Sequence, residues 1–358
     1  MTSWSTLDLK KCLVIFLQFV VTQNNIIFQK FMKILITGGA GFIGSSLCEY
    51  LVNRNYKVIV VDNLKNGNLE NLKNIKHKIK FIKKDISKKN CFEGKNFEGI
   101  HSVFHLAALA DIVPSIKFPR KYFESNVIGT LNVLEFCRNN NVKKLIYAAS
   151  SSCYGLPKSL PVNENDKIDT RYPYSSTKYI GEKLILDWAK IYKMHNVSLR
   201  FFNAYGPRSR TNNSYGAMFG VFLSQKINNK PLTVVGSGKQ TRDFIFISDL
   251  INGIIKAWKK GVAGEIYNIA SGKETSVNQI VKLLEHKIVK IPKRPGEPDR
   301  LLSNINKAKK KLGFKPKVDI RAGVKIMINN ISNWKKAVLW TPKKIKIETK
   351  EWFRYLGK

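Results

Sequence analysis

The sequence predicts an α/β protein in which a doubly wound parallel sheet is joined to a smaller, interleaved C-terminal substrate domain. A strand–turn–helix–strand unit occupies residues 33–64, and apolar strand segments alternate with helical segments as far as residue 155. Such alternation is typical of a parallel sheet with helices on both faces. After Phe201 the alternation is interrupted by loops, and later segments return toward the sheet. We therefore predict two domains that interleave along the chain.

The pattern divides the chain into four parts. The predicted parts are an N-terminal extension at 1–31, a nucleotide-binding domain at 32–202 to which 240–272 returns, a substrate-binding domain at 203–239 and 273–332, and a tail at 333–358. The tail contains three tryptophans, and the sequence assigns it no function.

The N-terminal extension contains a short apolar run, residues 12–21, that follows two lysines. A helix that crosses a bilayer takes about 20 apolar residues, and no small-residue cleavage motif follows this run. We therefore predict no membrane span. The strand that starts at Lys33 favours Met32 as the natural start. An interfacial helix, a swapped dimer contact and a secretion signal stay open as alternatives.

Composition excludes intrinsic disorder, because 44% of the 358 residues are hydrophobic and can form a sizeable core. The formal net charge is +37, and such a charge attracts nucleic acids or anionic membranes. The basic residues are mostly lysines, scattered in pairs such as Lys83-Lys84 and Lys259-Lys260 rather than gathered in one stripe. We interpret the charge as a general enrichment in lysine and expect no nucleic-acid partner.

The cysteines and histidines predict no metal site. The five cysteines are an odd set without CxxC spacing, which argues against a disulfide framework and against a zinc site. The five histidines include no HExxH motif. A reducing, cytoplasmic location is expected.

The first strand is followed by the glycine turn TGGAGFIG. Gly38, Gly41 and Gly44 have the spacing of a tight turn in which a pyrophosphate approaches the backbone and a helix packs on a strand. The N-terminus of the next helix then faces the phosphates. Asp62 stands 21 residues after Gly41, where a carboxylate accepts hydrogen bonds from the adenosine ribose and repels a 2′-phosphate. The unit predicts a dinucleotide site that prefers NAD to NADP.

Further cofactor contacts are predicted where later strands end. Asp85 ends the third strand, where an acid can meet the adenine amino group, although a helix cap is an alternative. Ala107 and Ala108 close the fourth strand, where small side chains let a cofactor lie against the backbone, with core packing as the alternative. The complete predicted cofactor set is Gly38, Gly41, Phe42, Ile43, Gly44, Asp62, Asn63, Asp85, Ile86, Ala107, Ala108, Asn126, Tyr174 and Lys178.

Three residues are predicted to carry the chemistry. Tyr174 and Lys178 lie four positions apart in a segment whose apolar spacing indicates a helix, so they share a helix face. The Lys178 ammonium then favours the Tyr174 phenolate and lowers a pKa of about 10 toward neutrality, which makes Tyr174 a usable base. Ser150, at the carboxyl end of its strand, can hydrogen-bond the same substrate hydroxyl.

These motifs together resemble one family, the extended short-chain dehydrogenases/reductases of the NAD-dependent sugar-nucleotide epimerase/dehydratase type, which have a Rossmann fold. The resemblance covers nearly all of residues 32–313 and rests on TGGAGFIG, VVDNL, HLAA, SSSCYG, YSSTK, RFFNAYGPR, RDFIFISD and RPGEPDR. It implies that Ser150 joins Tyr174 and Lys178 in catalysis, with Ser151 and Ser152 in supporting positions.

The resemblance also implies a site for a nucleotide sugar, with UDP as the expected nucleotide. Asn203, Arg242 and Arg294 would hold the diphosphate and nucleoside. Arginine offers a bidentate fork to phosphate oxygens, which agrees with this assignment. Helices at 119–140 and 174–192 pair across a dimer interface in this family, so a homodimer is expected, although packing within one monomer explains the same apolar stripes.

The residues before Tyr154 bear on which reaction follows. A 4,6-dehydratase of this family has an Asp-Glu acid/base pair directly before Tyr-Gly, and a uronate decarboxylase usually has a Glu in that stretch. This chain has Ser152 and Cys153 there. We therefore predict that a 4-keto sugar takes the hydride back on its other face, which is C4 epimerisation with NAD recycled. Glucose, N-acetylglucosamine and glucuronate all remain open as the sugar.

Two alternatives to the epimerase come from different classes of protein. One is a dehydratase or decarboxylase acting on the same kind of substrate. The other is a noncatalytic NAD-binding protein that uses its basic surface to hold RNA. The presence of Ser150, Tyr174 and Lys178 together weighs against the second.

Overall fold

The computed structural model describes residues 32–209 and 215–357. The predictions for residues 1–31 lie outside these described ranges. At the centre is a seven-stranded sheet of β1 (Lys33–Thr37), β2 (Lys57–Asp62), β3 (Ile79–Lys83), β4 (Ile100–His105), β5 (Lys144–Ser150), β6 (Asn196–Phe201) and β10 (Ile266–Ile269). The order is β10-β6-β5-β4-β1-β2-β3 and each neighbouring pair is parallel, which confirms the predicted doubly wound fold.

The sheet is buried on both faces because its strands are apolar at successive positions. Ile34, Leu35 and Ile36 of β1 are all fully buried. Neighbouring side chains of a strand point to opposite faces, and here Ile34 and Ile36 pack into one core while Leu35 packs into another. Helices covering both faces supply the remaining core residues, as a parallel sheet requires.

The strand order reverses between β1 and β4, and this reversal fixes the position of the site. Thr37, the last residue of β1, is aligned with Val61 of β2 and with His105 of β4. Ser150 at the end of β5 is aligned with Phe201 at the end of β6. The segments that follow these strands therefore leave the sheet at one edge. In parallel sheets ligands bind outside the carboxyl ends of the strands at such a point.

The α-helices of the described residues connect and cover these strands. They span Phe42–Val52, Ile112–Lys117, Pro119–Phe123, Gly129–Asn139, Pro173–Ile191, Met218–Ile227, Ile247–Lys260, Val277–Leu284, Ile320–Asn329, Pro342–Glu348 and Lys350–Leu356. Short 3-10 segments occur at Leu69–Lys78, Lys95–Phe97, Ser151–Tyr154 and Ile331–Trp334, and π-helical turns at Glu124–Ile128 and Ala308–Leu312. None of the helices within 32–209 and 215–357 is long and apolar enough to cross a membrane.

The helix Pro173–Ile191 carries the predicted catalytic pair, and its start is set by the sequence. Proline at the first helical position has no N–H to leave unpaired and its φ suits a helix. The Ser175 hydroxyl accepts a hydrogen bond from the Tyr172 N–H at 3.2 Å and donates one to the Tyr172 carbonyl at 2.8 Å. The first of these bonds pairs the Tyr172 N–H, one of the donors that a helix start leaves without a partner inside the helix. Tyr174 and Lys178 consequently sit in the first two turns.

Two small sheets lie in the C-terminal half. One joins β7 (Asn203–Tyr205), β9 (Thr241–Phe246) and β11 (Glu274–Ser276), and the other joins β8 (Leu232–Val235) to β12 (Ile288–Ile291). Of the segment expected to return to the large sheet, only β10 pairs within it, whereas β9 belongs to the three-stranded sheet. β9 pairs with β7, which begins directly after β6 has left the large sheet, while the helix Ile247–Lys260 contacts β5 and β6.

Candidate active site

A cavity of about 580 Å³ opens at the edge where the seven strands end. Its wall combines the glycine turn and the start of the helix Pro173–Ile191 with side chains of the C-terminal half. It therefore brings predicted cofactor, catalytic and substrate residues into one space. The predicted residues that line it are Gly38, Gly41, Phe42, Ile43, Gly44, Asp62, Asn63, Ile86, Ala107, Ala108, Ser150, Ser151, Ser152, Tyr174, Lys178, Asn203, Arg242 and Arg294.

The glycine turn is packed so closely that side chains are excluded from it. Gly38 has φ +72°, and a Cβ atom added there would lie 2.6 Å from the Ala107 nitrogen. A Cβ atom on Gly44 would overlap the Gly38 carbonyl. The helix Phe42–Val52 starts immediately after Gly41. This bare backbone beside a helix N-terminus fits a pyrophosphate.

Ala107 and Ala108 lie beyond β4 and do not close it. The strand ends at His105, and the Leu106 N–H still bonds the Thr37 carbonyl of β1 at 3.1 Å. The two alanines stand in the loop that follows, where Ala107 touches the glycine turn. This close approach of two backbone segments leaves no room for a side chain at Gly38.

Asp62 lies where the sequence places the adenosine ribose. Its side chain is buried, and burial raises the pKa of its carboxyl, although hydrogen bonds from backbone N–H groups oppose the shift. Those bonds come from Leu64 at 2.8 Å and Ala40 at 3.0 Å, one to each oxygen. A carboxylate accepts about four hydrogen bonds, so Asp62 keeps capacity for ribose hydroxyls.

Asp85 and Asn126 do not line the cavity, unlike the other predicted residues. Burial would raise the pKa of the Asp85 carboxyl, but hydrogen bonds from Ser87, Lys65 and Asn63 hold it well below its usual range. Asn126 is buried, and its amide bonds the backbone N–H and carbonyl of Leu109 at 2.8 and 3.0 Å. Both residues hold wall segments in place, and their direct contact with a cofactor stays a prediction.

The helix Pro173–Ile191, called the catalytic helix below after its predicted residues, places Tyr174 and Lys178 on the cavity wall beside the end of β5. Lys178 is 4% exposed, and its Nζ lies 4.2 Å from the centre of the Tyr147 ring. Burial lowers the pKa of Lys178 to about 7, against an opposing effect of the Glu182 carboxylate. The Ser150 hydroxyl accepts a hydrogen bond from the Ser152 N–H at 3.2 Å and lies 2.9 Å from the Ser152 hydroxyl. A phenol, an amine and a hydroxyl thus share one wall.

The buried charge of Lys178 predicts a gain in stability when it is removed. In the unfolded chain lysine keeps its proton up to about pH 10.4, whereas folded Lys178 releases it near pH 7. Below pH 7 both states are charged and the folded state carries the full cost of burial. Between these values the unfolded state binds more protons, so stability rises with pH. We expect Lys178→Met to stabilise the cofactor-free protein by about 1–4 kcal/mol at pH 6.5.

Urea unfolding of wild type and variant from pH 6 to 9 measures this effect. The advantage of Lys178→Met should shrink as the pH rises above 7. Lys183→Met removes an exposed lysine from the same helix and should change stability little at any pH. A difference between wild type and Lys178→Met that stays constant over this range would contradict the depressed pKa.

Two buried groups behind the catalytic wall were not identified from the sequence. His105 lies between the hydroxyls of Thr37 at 2.8 Å and Thr130 at 2.9 Å. Burial, together with the Lys178 charge, lowers its pKa to about 3, so it stays neutral. One turn below Lys178, Glu182 forms a buried ion pair with Arg200 at 2.6 Å. The HLAA motif contains His105, but its partners are distant in sequence and give no local signal.

The cavity wall also carries the predicted substrate residues. Arg242 donates to the Thr241 carbonyl at 2.8 Å, and burial lowers the pKa of its guanidinium. Arg294 pairs with Glu297 at 3.0 Å and donates a second hydrogen bond to the Tyr215 hydroxyl. Two guanidinium groups on one wall suit a diphosphate. Tyr215, Glu297 and Trp352 also line this part of the cavity. The sequence did not indicate Glu297 or Trp352 as site residues, nor the contact of Tyr215 with Arg294.

Comparisons with known proteins agree with this geometry. Residues 34–270 match the model of the NAD dependent epimerase/dehydratase family. A putative UDP-glucose 4-epimerase of Methanocaldococcus jannaschii is 37% identical, with 84% of this chain and 98% of the relative covered. UDP-glucuronic acid decarboxylase 4 of Arabidopsis thaliana is 32% identical, with 84% and 69% covered.

A solved structure extends the likeness to three dimensions. The UDP-glucuronic acid 4-epimerase of Bacillus cereus, in complex with UDP-glucuronic acid and NAD, is 33% identical with a TM-score of 0.78, covering 84% of this chain and 99% of that one. The cofactor of the family is NAD, and the glycine turn and Asp62 fit it. The chain belongs to the NAD-dependent epimerase/dehydratase family of extended short-chain dehydrogenases/reductases.

Proposed function

We propose that the protein is an NAD-dependent 4-epimerase of a UDP-linked sugar. One observation carries the proposal: Ser150, Tyr174 and Lys178 face the same cavity as Arg242 and Arg294. The cavity can therefore hold a nucleotide sugar by its diphosphate while presenting a hydroxyl of the sugar to Tyr174.

The chain's own residues move the proton in this reaction. Bound NAD supplies a reversible hydride acceptor for C4 of the sugar. Tyr174, as phenolate, accepts the proton of the C4 hydroxyl while Ser150 hydrogen-bonds the same oxygen. Lys178, in its protonated form, favours that phenolate. When the ketone has turned its other face to the hydride, Tyr174 returns the proton and the C4 epimer results.

The stretch before Tyr154 lacks the groups that dehydration or decarboxylation would use. Burial raises the pKa of the Cys153 thiol to about 12, so it stays neutral at physiological pH. The Ser152 hydroxyl lies beside Ser150 and is no acid. The carboxylates that line the cavity in the described residues lie outside this stretch. Asp62 is near the glycine turn and Glu297 pairs with Arg294. Asp111 precedes the helix Ile112–Lys117. The stretch before Tyr154 therefore offers a transient 4-keto sugar no acid/base pair to carry it further.

A 4-keto product should not accumulate. We expect no rise in alkaline absorbance when the protein is incubated with NAD and a UDP-sugar that it converts. Released 4-keto sugar, seen as strong absorbance after alkali, would favour the dehydratase or decarboxylase instead.

The sugar remains open among glucose, N-acetylglucosamine and glucuronate. Leu301 is buried and lines the cavity at the position where the family resemblance places a residue that influences acceptance of a 2-acetamido group. UDP is proposed as the nucleotide because the Methanocaldococcus jannaschii relative and the Bacillus cereus structure are both named for UDP-sugars.

A homodimer is proposed as the assembly. The helical segments 119–140 and 174–192 carry the exposed apolar side chains Phe123, Ile128, Ile191 and Tyr192, which are 42–63% exposed. Contact with a second copy of the chain removes these apolar side chains from water, which stabilises a dimer. Light scattering of the purified protein should report twice the mass of the 40.9 kDa chain.

A further inference from the structure

The C-terminal tail lies across the substrate half of the cavity, and each of its three tryptophans contacts a different point of that half. Trp334 donates from Nε1 to the Ser209 carbonyl at 2.9 Å. The Trp340 ring lies 4.9 Å from the ring of Tyr215. Trp352 donates from Nε1 to the Pro295 carbonyl at 2.7 Å. The tail therefore joins segments that are far apart in sequence.

Trp352 is the tail residue that reaches the cavity. It is 1% exposed and lines the cavity wall. Its ring lies 5.9 Å from the ring of Tyr172, which precedes the catalytic helix, and 5.8 Å from the guanidinium carbon of Arg294. One side chain thus stands between the start of the catalytic helix and a predicted phosphate-binding arginine.

Trp352 is one of the residues that hold the segment carrying Arg294. Residues 292–300 have neither helix nor strand, and Gly296 has φ +73°. The Trp352 indole fixes the carbonyl of Pro295, directly after Arg294. A guanidinium over an aromatic face gains cation–π attraction. A side chain held in advance loses less conformational freedom when it binds an anion.

We propose that Trp352 is a positioning residue that holds Arg294 for the diphosphate of the substrate. The C-terminal tail would then complete the nucleotide-sugar site. The inference rests on the proposed function, since it takes a nucleoside diphosphate as the ligand of this half. It assigns a role to a segment for which the sequence indicated none.

Calorimetric titration with UDP tests the proposal. Trp352→Phe keeps an aromatic ring but removes the N–H that bonds Pro295, and we expect the Kd for UDP to rise about tenfold. Trp352→Ala also removes the ring beside Arg294, and a rise of about 50-fold or more is expected. The Kd for NAD should stay within about twofold of wild type, because the glycine turn is untouched.

Controls separate positioning from general loss of structure. Phe353→Ala changes the next residue of the same helix, which is 39% exposed, and should leave the Kd for UDP unchanged. Uridine, which lacks the phosphates, should bind wild type and both Trp352 variants alike. If Trp352→Ala fails to fold, Trp352→Phe decides the outcome.

Two results would overturn the inference and they differ from each other. Equal affinity of wild type and folded Trp352 variants for UDP would overturn the role of Trp352 alone. A wild-type protein that binds NAD but not UDP would overturn the proposed substrate class, and the inference with it.

Discussion

Replacing Tyr174 by phenylalanine is expected to lower kcat by about 1000-fold or more while the protein still binds NAD. General acid–base catalysis contributes about 10²–10⁴-fold, and the phenol is the group on the catalytic helix that can take the sugar's proton. The ring itself is retained, so its edge contact with Tyr122, with ring centres 6.4 Å apart, should persist. Steady-state rates with a converted UDP-sugar, together with NAD titration, measure the two effects separately.

Tyr179→Phe is the matched control for this variant. Tyr179 lies on the same helix but does not line the cavity. Its phenol can therefore be removed without touching substrate, and kcat should change less than about threefold. Substantial turnover by Tyr174→Phe would remove Tyr174 as the base and leave the proposed mechanism without its proton acceptor.

The second large effect is expected for Gly38→Ala, which should raise the Kd for NAD about 50-fold or more. The added methyl would lie 2.6 Å from the Ala107 nitrogen and 2.7 Å from its Cα, and both are backbone atoms that cannot turn aside. Overpacking costs about 1–3 kcal/mol, and the positive φ of +72° adds strain. The turn must open to accept the methyl, and a pyrophosphate then loses its close approach to the backbone.

The Gly99→Ala variant is the control that separates the effect of backbone strain at positive φ from the effect of steric overlap. Gly99 has a similar φ of +65°, but a Cβ atom there would meet nothing within 4 Å. This variant should lose about 1 kcal/mol of stability and bind NAD as wild type does. If Gly38→Ala behaved like Gly99→Ala in NAD titration and urea unfolding, the glycine turn would not be the cofactor cradle described above.

The parts predictable from the sequence are those encoded in contiguous segments. The glycine turn, Asp62 and the pair Tyr174 and Lys178 each depend on spacing within one strand–helix unit, and periodicity reveals such units directly. The doubly wound parallel sheet follows from the alternation of strand and helix segments, and the handedness of parallel crossovers limits its topology. For this reason the fold was predictable, and most of the site residues predicted from the sequence line the cavity.

What the sequence did not reveal depends on contacts between distant segments. Trp352 meets Arg294 and Pro295 across almost 60 positions, and no local pattern marks such a pair. The roles of Tyr215 and Glu297 could not be predicted, because they depend on the contacts of both residues with Arg294. Asp85 was predicted to end the third strand, but β3 ends at Lys83, two residues earlier, and the Asp85 carboxylate is bonded by Lys65 and Ser87, which a motif cannot show.

Proton NMR tests the central claim most directly. Purified protein is incubated with NAD and, in turn, UDP-glucose, UDP-N-acetylglucosamine and UDP-glucuronate in D₂O. We predict that one of them interconverts with its C4 epimer and that the C4 hydrogen stays protium, because the hydride returns to the carbon from which it came. Deuterium at C4, or no epimer from any of the three while NAD is bound, would contradict the account.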